Sequence, residues 1–252
     1  MTGASAGIGA DMARLFAKRG ARVVVVARRA DLLETLAADI GGEAVTCDLA
    51  DRSARDALIP GIEADGPIDV LVNNAGLLDT TAFATQDPSS IDALIDVNLH
   101  APIQLTRAAL PAMLARESGF VVDVSSMAGA SCTPGPAVYA ATKAGLTHFN
   151  ASLRAELRGT GVRLAVIELG PVDTEMEANL HTHGPTHNSM NRLRALRLIR
   201  HLPSERVAAA IVRTVERDNT YLRMPKRAAA FPVVTNLPRQ MGRVLLAGVK
   251  GT

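Results

Sequence analysis

The chain has 252 residues, 48% of them hydrophobic and 21% charged, which excludes the disordered and collagen-like classes and leaves enough apolar material for a large core. Two cysteines without a CxxC pair exclude a disulfide framework and a zinc finger, and no apolar run is long enough to span a bilayer, so a cytoplasmic protein is expected. The net charge of +2 is uneven: residues 1–180 hold 14 Lys/Arg against 22 Asp/Glu, and residues 181–252 hold 13 against 3. This basic block reads either as a solvated surface or as a face that meets an anion.

In chain order, helix and strand patterns alternate. The opening "MTGASAGIGADMARLF" is a glycine-rich loop running into an amphipathic helix near Ile8. "ARVVVVA" (21–27) predicts a strand, "ADLLETLAADI" (30–40) a helix, "GEAVTCDL" (42–49) a strand and "DRSARDALIPGIEA" (51–64) a helix. "IDVLVNNAG" (68–76) is a strand entering a turn, and a long helical stretch lies within 89–116. "GFVVDVSS" (119–126), "AVYAATKAGLTHFNASLRAELRG" (137–159) and "VRLAVIELG" (162–170) predict strand, helix and strand. The strands are near-continuous Val/Ile/Leu runs, as when both faces are covered, and the alternation predicts right-handed crossovers and a parallel sheet. Beyond it, 180–190 reads as loop, 191–201 as a basic amphipathic helix, the segment from Ser204 as a helix and 220–224 as a short strand. With no repeat and no linker, one domain is expected over 1–252.

The glycines of the opening loop have a chemical reading. Gly3 permits a tight turn, while Gly7 and Gly9 let backbone approach a pyrophosphate and let the helix pack closely. The helix N-terminus then directs free N–H groups at the phosphates.

Taken with the later segments, the sequence resembles the short-chain dehydrogenase/reductase family over roughly residues 1–175. The matching segments are "TGASAGIG", "CDL" (47–49), "NNAG" (73–76), "DVNL" around Asn98, "SS" (125–126) and "YAATK" (139–143). Ser126 stands thirteen residues before Tyr139, the family's usual spacing, which selects it over Ser125. The resemblance implies a Rossmann-like doubly wound α/β parallel sheet and a dinucleotide bound by Gly3, Ser5, Gly7, Ile8, Gly9, Asp48, Leu49, Asn74, Ala75 and Gly76. It also implies that Val172 and Thr174 contact the carboxamide, although Leu169 occupies the position where the family has Pro. Residues after Thr174 are expected to form a substrate lid.

The chemistry can be reasoned from the residues. A free tyrosine, with a pKa of about 10, is a poor base at neutral pH. Lys143, at i+4 from Tyr139, shares its helical face and favours the tyrosinate, so Tyr139 is the expected general acid/base. Ser126 is expected to hydrogen-bond the substrate oxygen. From the resemblance, Lys143 also holds the nicotinamide ribose and Asn98 holds a water linking Lys143 to solvent. The strand 21–27 ends in Ala27 where an acidic residue would favour NAD(H); Arg28 and Arg29 follow and suit a 2′-phosphate, so NADP(H) is expected. The overall expectation is an oxidoreductase acting on a hydrophobic ketone, aldehyde or alcohol. The alternative is a catalytically weak nucleotide-binding or peripheral membrane interaction protein on the same fold.

Further expectations concern the ends and the surface. The fold requires a strand before Thr2, between the strands at 21–27 and 68–76, and the chain offers only Met1, so the first strand is largely missing. The natural start is therefore expected upstream, with more apolar residues. A homodimer through 89–116 and 137–159 is expected, and no nucleic-acid partner. Arg192, Arg194, Arg197 and Arg200, together with 231–249, suit an anionic membrane surface, whereas His181, His183 and His187 lack the companions of a metal site.

Overall fold

A computed structural model describes residues 1–130, 135–178 and 201–225. Its helices are α1 (Gly7–Lys18), α2 (Ala30–Ile40), α3 (Arg52–Glu63), α4 (Pro88–Ile95), α5 (Ala101–Ala115), α6 (Ala137–Glu156), α7 (Glu175–Ala178) and α8 (Ser204–Glu216). Its strands are β1 (Val24–Ala27), β2 (Glu43–Thr46), β3 (Val70–Asn73), β4 (Gly119–Ser126), β5 (Val162–Leu169), β6 (Val172–Asp173), β7 (Leu202–Pro203) and β8 (Tyr221–Met224). Every pair of neighbouring strands is parallel.

The order β3-β4-β5-β8 forms one four-stranded sheet and β1-β2 a two-stranded one. Met1 and Thr2 stand between them. The Met1 amine donates to Val24 O at 2.7 Å, Val26 N donates to Met1 O at 2.9 Å, and Thr2 N donates to Val72 O at 2.9 Å. Two residues thus do part of the work of the strand expected before Thr2. Met1 and Thr2 give backbone partners to Val24 and Val26 of β1 and to Val72 of β3. The Met1 amine is buried, and burial pushes it down to about 5.

Helices cover both faces. Phe120, Val122 and Val124 of β4 pack with Met12 of α1 and with Val207, Ala208 and Ile211 of α8. Val121, one residue out of phase, packs with Leu58 and Ile59 of α3 and with Leu105, Ala109 and Met113 of α5. This is the pleat of a strand buried on both sides. A third cluster joins Ala10 and Ala13 of α1 to Val25 of β1 and Leu33 of α2.

Most elements fall where the periodicity predicts them. The 89–116 stretch differs: it comprises α4, a π-helical turn at Asp96–His100, and α5. The β6–β7 pair, Val172 against Leu202, has no counterpart in the sequence reading. The predicted loop 180–190, nearly all of the basic helix 191–201, the remainder of the lid, the histidines 181, 183 and 187, and the 231–249 segment lie outside the described residues. Among the described residues no helix is long and apolar enough to cross a membrane.

Candidate active site

A cavity of about 580 Å³ opens at the C-terminal ends of the central strands. This is where an open α/β sheet offers its crevice. Its lining includes Gly3, Ser5, Gly7, Ile8, Gly9, Arg28, Arg29, Asp48, Leu49, Asn74, Ala75, Gly76, Ser126, Tyr139, Lys143, Val172 and Thr174.

The floor is the glycine loop. Gly3 has φ +64°, and a Cβ on Gly9 would lie 2.1 Å from Gly3 O, so α1 meets the loop backbone to backbone. Asn74 clamps the turn, its Nδ2 donating to Thr2 O at 3.2 Å and Gly3 O at 3.0 Å. The Thr2 hydroxyl accepts from Asn74 N and Ala75 N, both at 3.1 Å. Thr174 borders the same loop, its Cγ2 3.0 Å from where a Gly7 Cβ would lie. Asp48 caps its own turn, accepting from Ala50 N at 3.0 Å.

At the mouth, Arg29 donates to Ser5 Oγ through Nε and Nη2 at 3.2 and 3.1 Å, and through Nη1 to Glu175 at 3.1 Å. Both arginines line the cavity, but the guanidinium that bridges the two loops belongs to Arg29.

The catalytic candidates converge from three elements. Lys143 and Tyr139 share a face of α6, with Lys143 Nζ 5.9 Å from the phenol ring centroid. Nζ donates to Val124 O at 2.9 Å. Lys143 is buried, and burial pulls its amine down to about 8 against the opposing pull of Asp123. Ser126 ends β4 half-buried; its Oγ accepts from Ala128 N at 3.1 Å. Ser125 faces the other way, donating to Lys143 O at 2.9 Å and meeting Thr147 Oγ1 at 2.8 Å. Asn98, fully buried in the π-helical turn, accepts from Leu77 N at 2.7 Å and donates to Leu77 O at 2.9 Å. Its Oδ1 and Lys143 Nζ both border Gly76, at 3.4 and 3.5 Å from where a Cβ there would lie.

These residues fit a dinucleotide. Gly3, Gly7 and Gly9 of the loop and the N-terminus of α1 line the cavity, and Arg28, Arg29 and the Tyr139–Lys143 pair line it too.

The model of the short chain dehydrogenase family matches residues 1–184. The chain belongs to the short-chain dehydrogenase/reductase family. Among its relatives, a short chain dehydrogenase of Pseudocercospora fijiensis is 38% identical over 187 residues, 71% of this chain and 60% of that protein. An NADP-dependent 3-hydroxy acid dehydrogenase of Salmonella typhi is 38% identical over 176 residues, 68% of this chain and 71% of that protein. The solved structure of a short-chain dehydrogenase from Sphingobium yanoikuyae in complex with NADPH superposes with a TM-score of 0.81 at 27% identity, covering 99% of this chain and 95% of its own.

Several residues of this short-chain dehydrogenase site escape sequence reasoning. Thr2 follows Met1 at the very start, yet its hydroxyl organises the turn. Glu175 meets Arg29 across 146 residues. Only the proximity of Arg29 to the predicted end of β1 carried a local signal.

Proposed function

We propose that this protein is an NADP(H)-dependent oxidoreductase that interconverts a ketone or aldehyde and an alcohol. The observation that carries the reading is the shared cavity: the glycine loop, Arg28 and Arg29, and the Ser126, Tyr139 and Lys143 set line one space. When bound, the nicotinamide supplies or accepts the hydride. In the reducing direction Tyr139 donates its phenolic proton to the substrate oxygen, and in the oxidising direction it takes that proton back. Lys143, held by Val124 O beside the ring, favours the phenolate by its charge. Ser126 Oγ donates to the substrate oxygen as negative charge develops there. Asn98, gripping both backbone groups of Leu77, sets the wall next to Lys143.

Arg28 and Arg29 support NADP(H) over NAD(H), through charge-assisted bonds to a 2′-phosphate. The names of the Salmonella and Sphingobium relatives, NADP-dependent and NADPH-bound, support the same preference. Leu77, Leu78, Met127, Pro136 and Met176 line the cavity and support a hydrophobic substrate. A cytoplasmic homodimer through α4, α5 and α6 accompanies the reading, supported by Ile95 and Leu114, which stand exposed on that segment. Sedimentation tests the dimer.

The deciding experiment follows NADPH absorbance over a panel of apolar ketones and aldehydes, with the wild type and Tyr139→Phe. Turnover by the wild type, lost at least ~100-fold in the variant while NADPH binding persists, is the expected result. Retained turnover in Tyr139→Phe overturns the acid/base assignment. Binding of NADPH without turnover on any carbonyl overturns the enzyme reading in favour of an interaction protein.

A further inference from the structure

Arg29 enters the mouth of the cavity with its donors already engaged. Nε and Nη2 both donate to Ser5 Oγ, at 3.2 and 3.1 Å, and Nη1 donates to Glu175 Oε2 at 3.1 Å. A guanidinium has two forks, one formed by Nε and a terminal nitrogen and one by the two terminal nitrogens, and it grips a phosphate through either. Ser5 takes the first fork and Glu175 stands on the second. The two partners differ in chemistry. The Ser5 hydroxyl accepts from Arg29 and keeps its own proton, which it can donate to a phosphate oxygen. An ionised carboxylate only accepts, so Glu175 offers a phosphate nothing and repels it. A 2′-phosphate that reaches Arg29 therefore joins Ser5 and displaces Glu175.

The fold gives Glu175 this position. It opens α7, two residues after β6 ends at Asp173. Between them, Thr174 packs against Gly7, so the chain leaving β6 runs along the glycine loop. The next side chain then reaches the arginine that follows β1. Among the described residues, Asp48 and Glu175 are the acidic ones that line the cavity. Asp48 Oδ1 accepts from Ala50 N at 3.0 Å, whereas Glu175 is paired with Arg29. The side chains of that pair are 46% and 75% exposed. Water screens such a pair, so it adds little to folding and exchanges readily for a ligand.

We propose that Glu175 is a specificity-determining residue that works against the 2′-phosphate: its carboxylate is the resident partner of Arg29, and NADPH must displace it where NADH need not. The proposal rests on the NADP(H) reading above, which gives the 2′-phosphate to the arginines. It adds the group that limits how strongly NADP(H) is preferred.

Titration calorimetry of the full chain with NADPH and with NADH reads binding directly, without turnover. Glu175→Gln keeps the length of the side chain and removes its charge. It is expected to tighten NADPH about 3- to 10-fold and to change NADH less than about 2-fold. Arg29→Ala alone is expected to weaken NADPH. In that background Glu175→Gln is expected to change NADPH affinity less than about 2-fold, because the carboxylate then has no guanidinium to occupy. Equal tightening of both cofactors, or an equal gain with and without Arg29, overturns the proposal. If Arg29→Ala weakens NADPH while Glu175→Gln leaves it unchanged or weaker, the NADP(H) reading stands and the proposal falls. If Arg29→Ala leaves NADPH unmoved, the assignment of the 2′-phosphate to Arg29 falls and takes the proposal with it.

Discussion

Gly9→Ala tests the geometry of the cofactor loop most directly. The new methyl would sit 2.1 Å from Gly3 O and 2.8 Å from Asn74 Nδ2, where carbon–oxygen contact requires well over 3 Å. Gly3 O is backbone, held by Asn74, so α1 or the loop must retreat by about 1 Å. Overpacking of this kind costs about 1–3 kcal/mol, and loss of the Asn74–Gly3 bond adds about 1 kcal/mol. The gain in helix propensity returns at most about 1 kcal/mol. The expected net loss is about 2 kcal/mol of folding stability, with NADPH affinity reduced at least ~10-fold because the displaced backbone is what meets the pyrophosphate. Gly61→Ala is the control: it lies in α3 with nothing within 4 Å of its new Cβ, and is expected to be neutral or stabilising by up to about 1 kcal/mol. Urea denaturation and fluorescence titration with NADPH measure both effects. A Gly9→Ala protein as stable as Gly61→Ala, with unchanged NADPH affinity, would refute the close-packed loop.

The remaining predictions concern charge and catalysis. Ser126→Ala is expected to lower kcat about 100-fold with folding intact, whereas Ser125→Ala, which removes a buried bond to α6, costs about 1 kcal/mol of stability and far less rate; equal rate losses would undo the choice between the two serines. Arg29→Ala is expected to raise KM for NADPH about 10- to 100-fold and leave KM for NADH nearly unchanged, while its exposed pair with Glu175 adds little to folding; initial rates with both cofactors decide. Asp123 holds its proton in the folded state between 3.8 and about 6, so its contribution to stability is present at low pH and is lost as pH rises through that window, on the order of 3 kcal/mol. The stability difference between wild type and Asp123→Asn, measured by denaturant titration, should therefore change between pH 4 and 6, and a difference independent of pH counts against the buried charge. Lys143, lowered from 10.5 to about 8, binds its proton less readily when folded, so stability rises with pH between these values, and Lys143→Met should remove that rise.

Local pattern carried much of this protein. Helix α2 and strand β4 have the bounds their periodicity predicts, because an apolar stripe or run can be read within the element itself. Tyr139 and Lys143 were legible because four residues of helix bring two side chains to one face wherever the helix packs. The glycine loop was legible because its backbone needs are local. The cavity joins these segments because parallel crossovers bring every strand's C-terminal end to one edge. What the sequence could not disclose depends on residues brought together by packing. Met1 and Thr2 serve as a strand only because β1 and β3 flank them. Arg29 acquires Ser5 and Glu175 only where two loops converge, and Asn98 sits in a π-helical turn that a 3.6-residue period does not signal. Asp123 reads as one polar residue in an apolar run. The clamp of Asn73 from β3 and Asn150 from α6 arises from neighbours on two different elements, because the energy of a buried charge is set by what surrounds it in space.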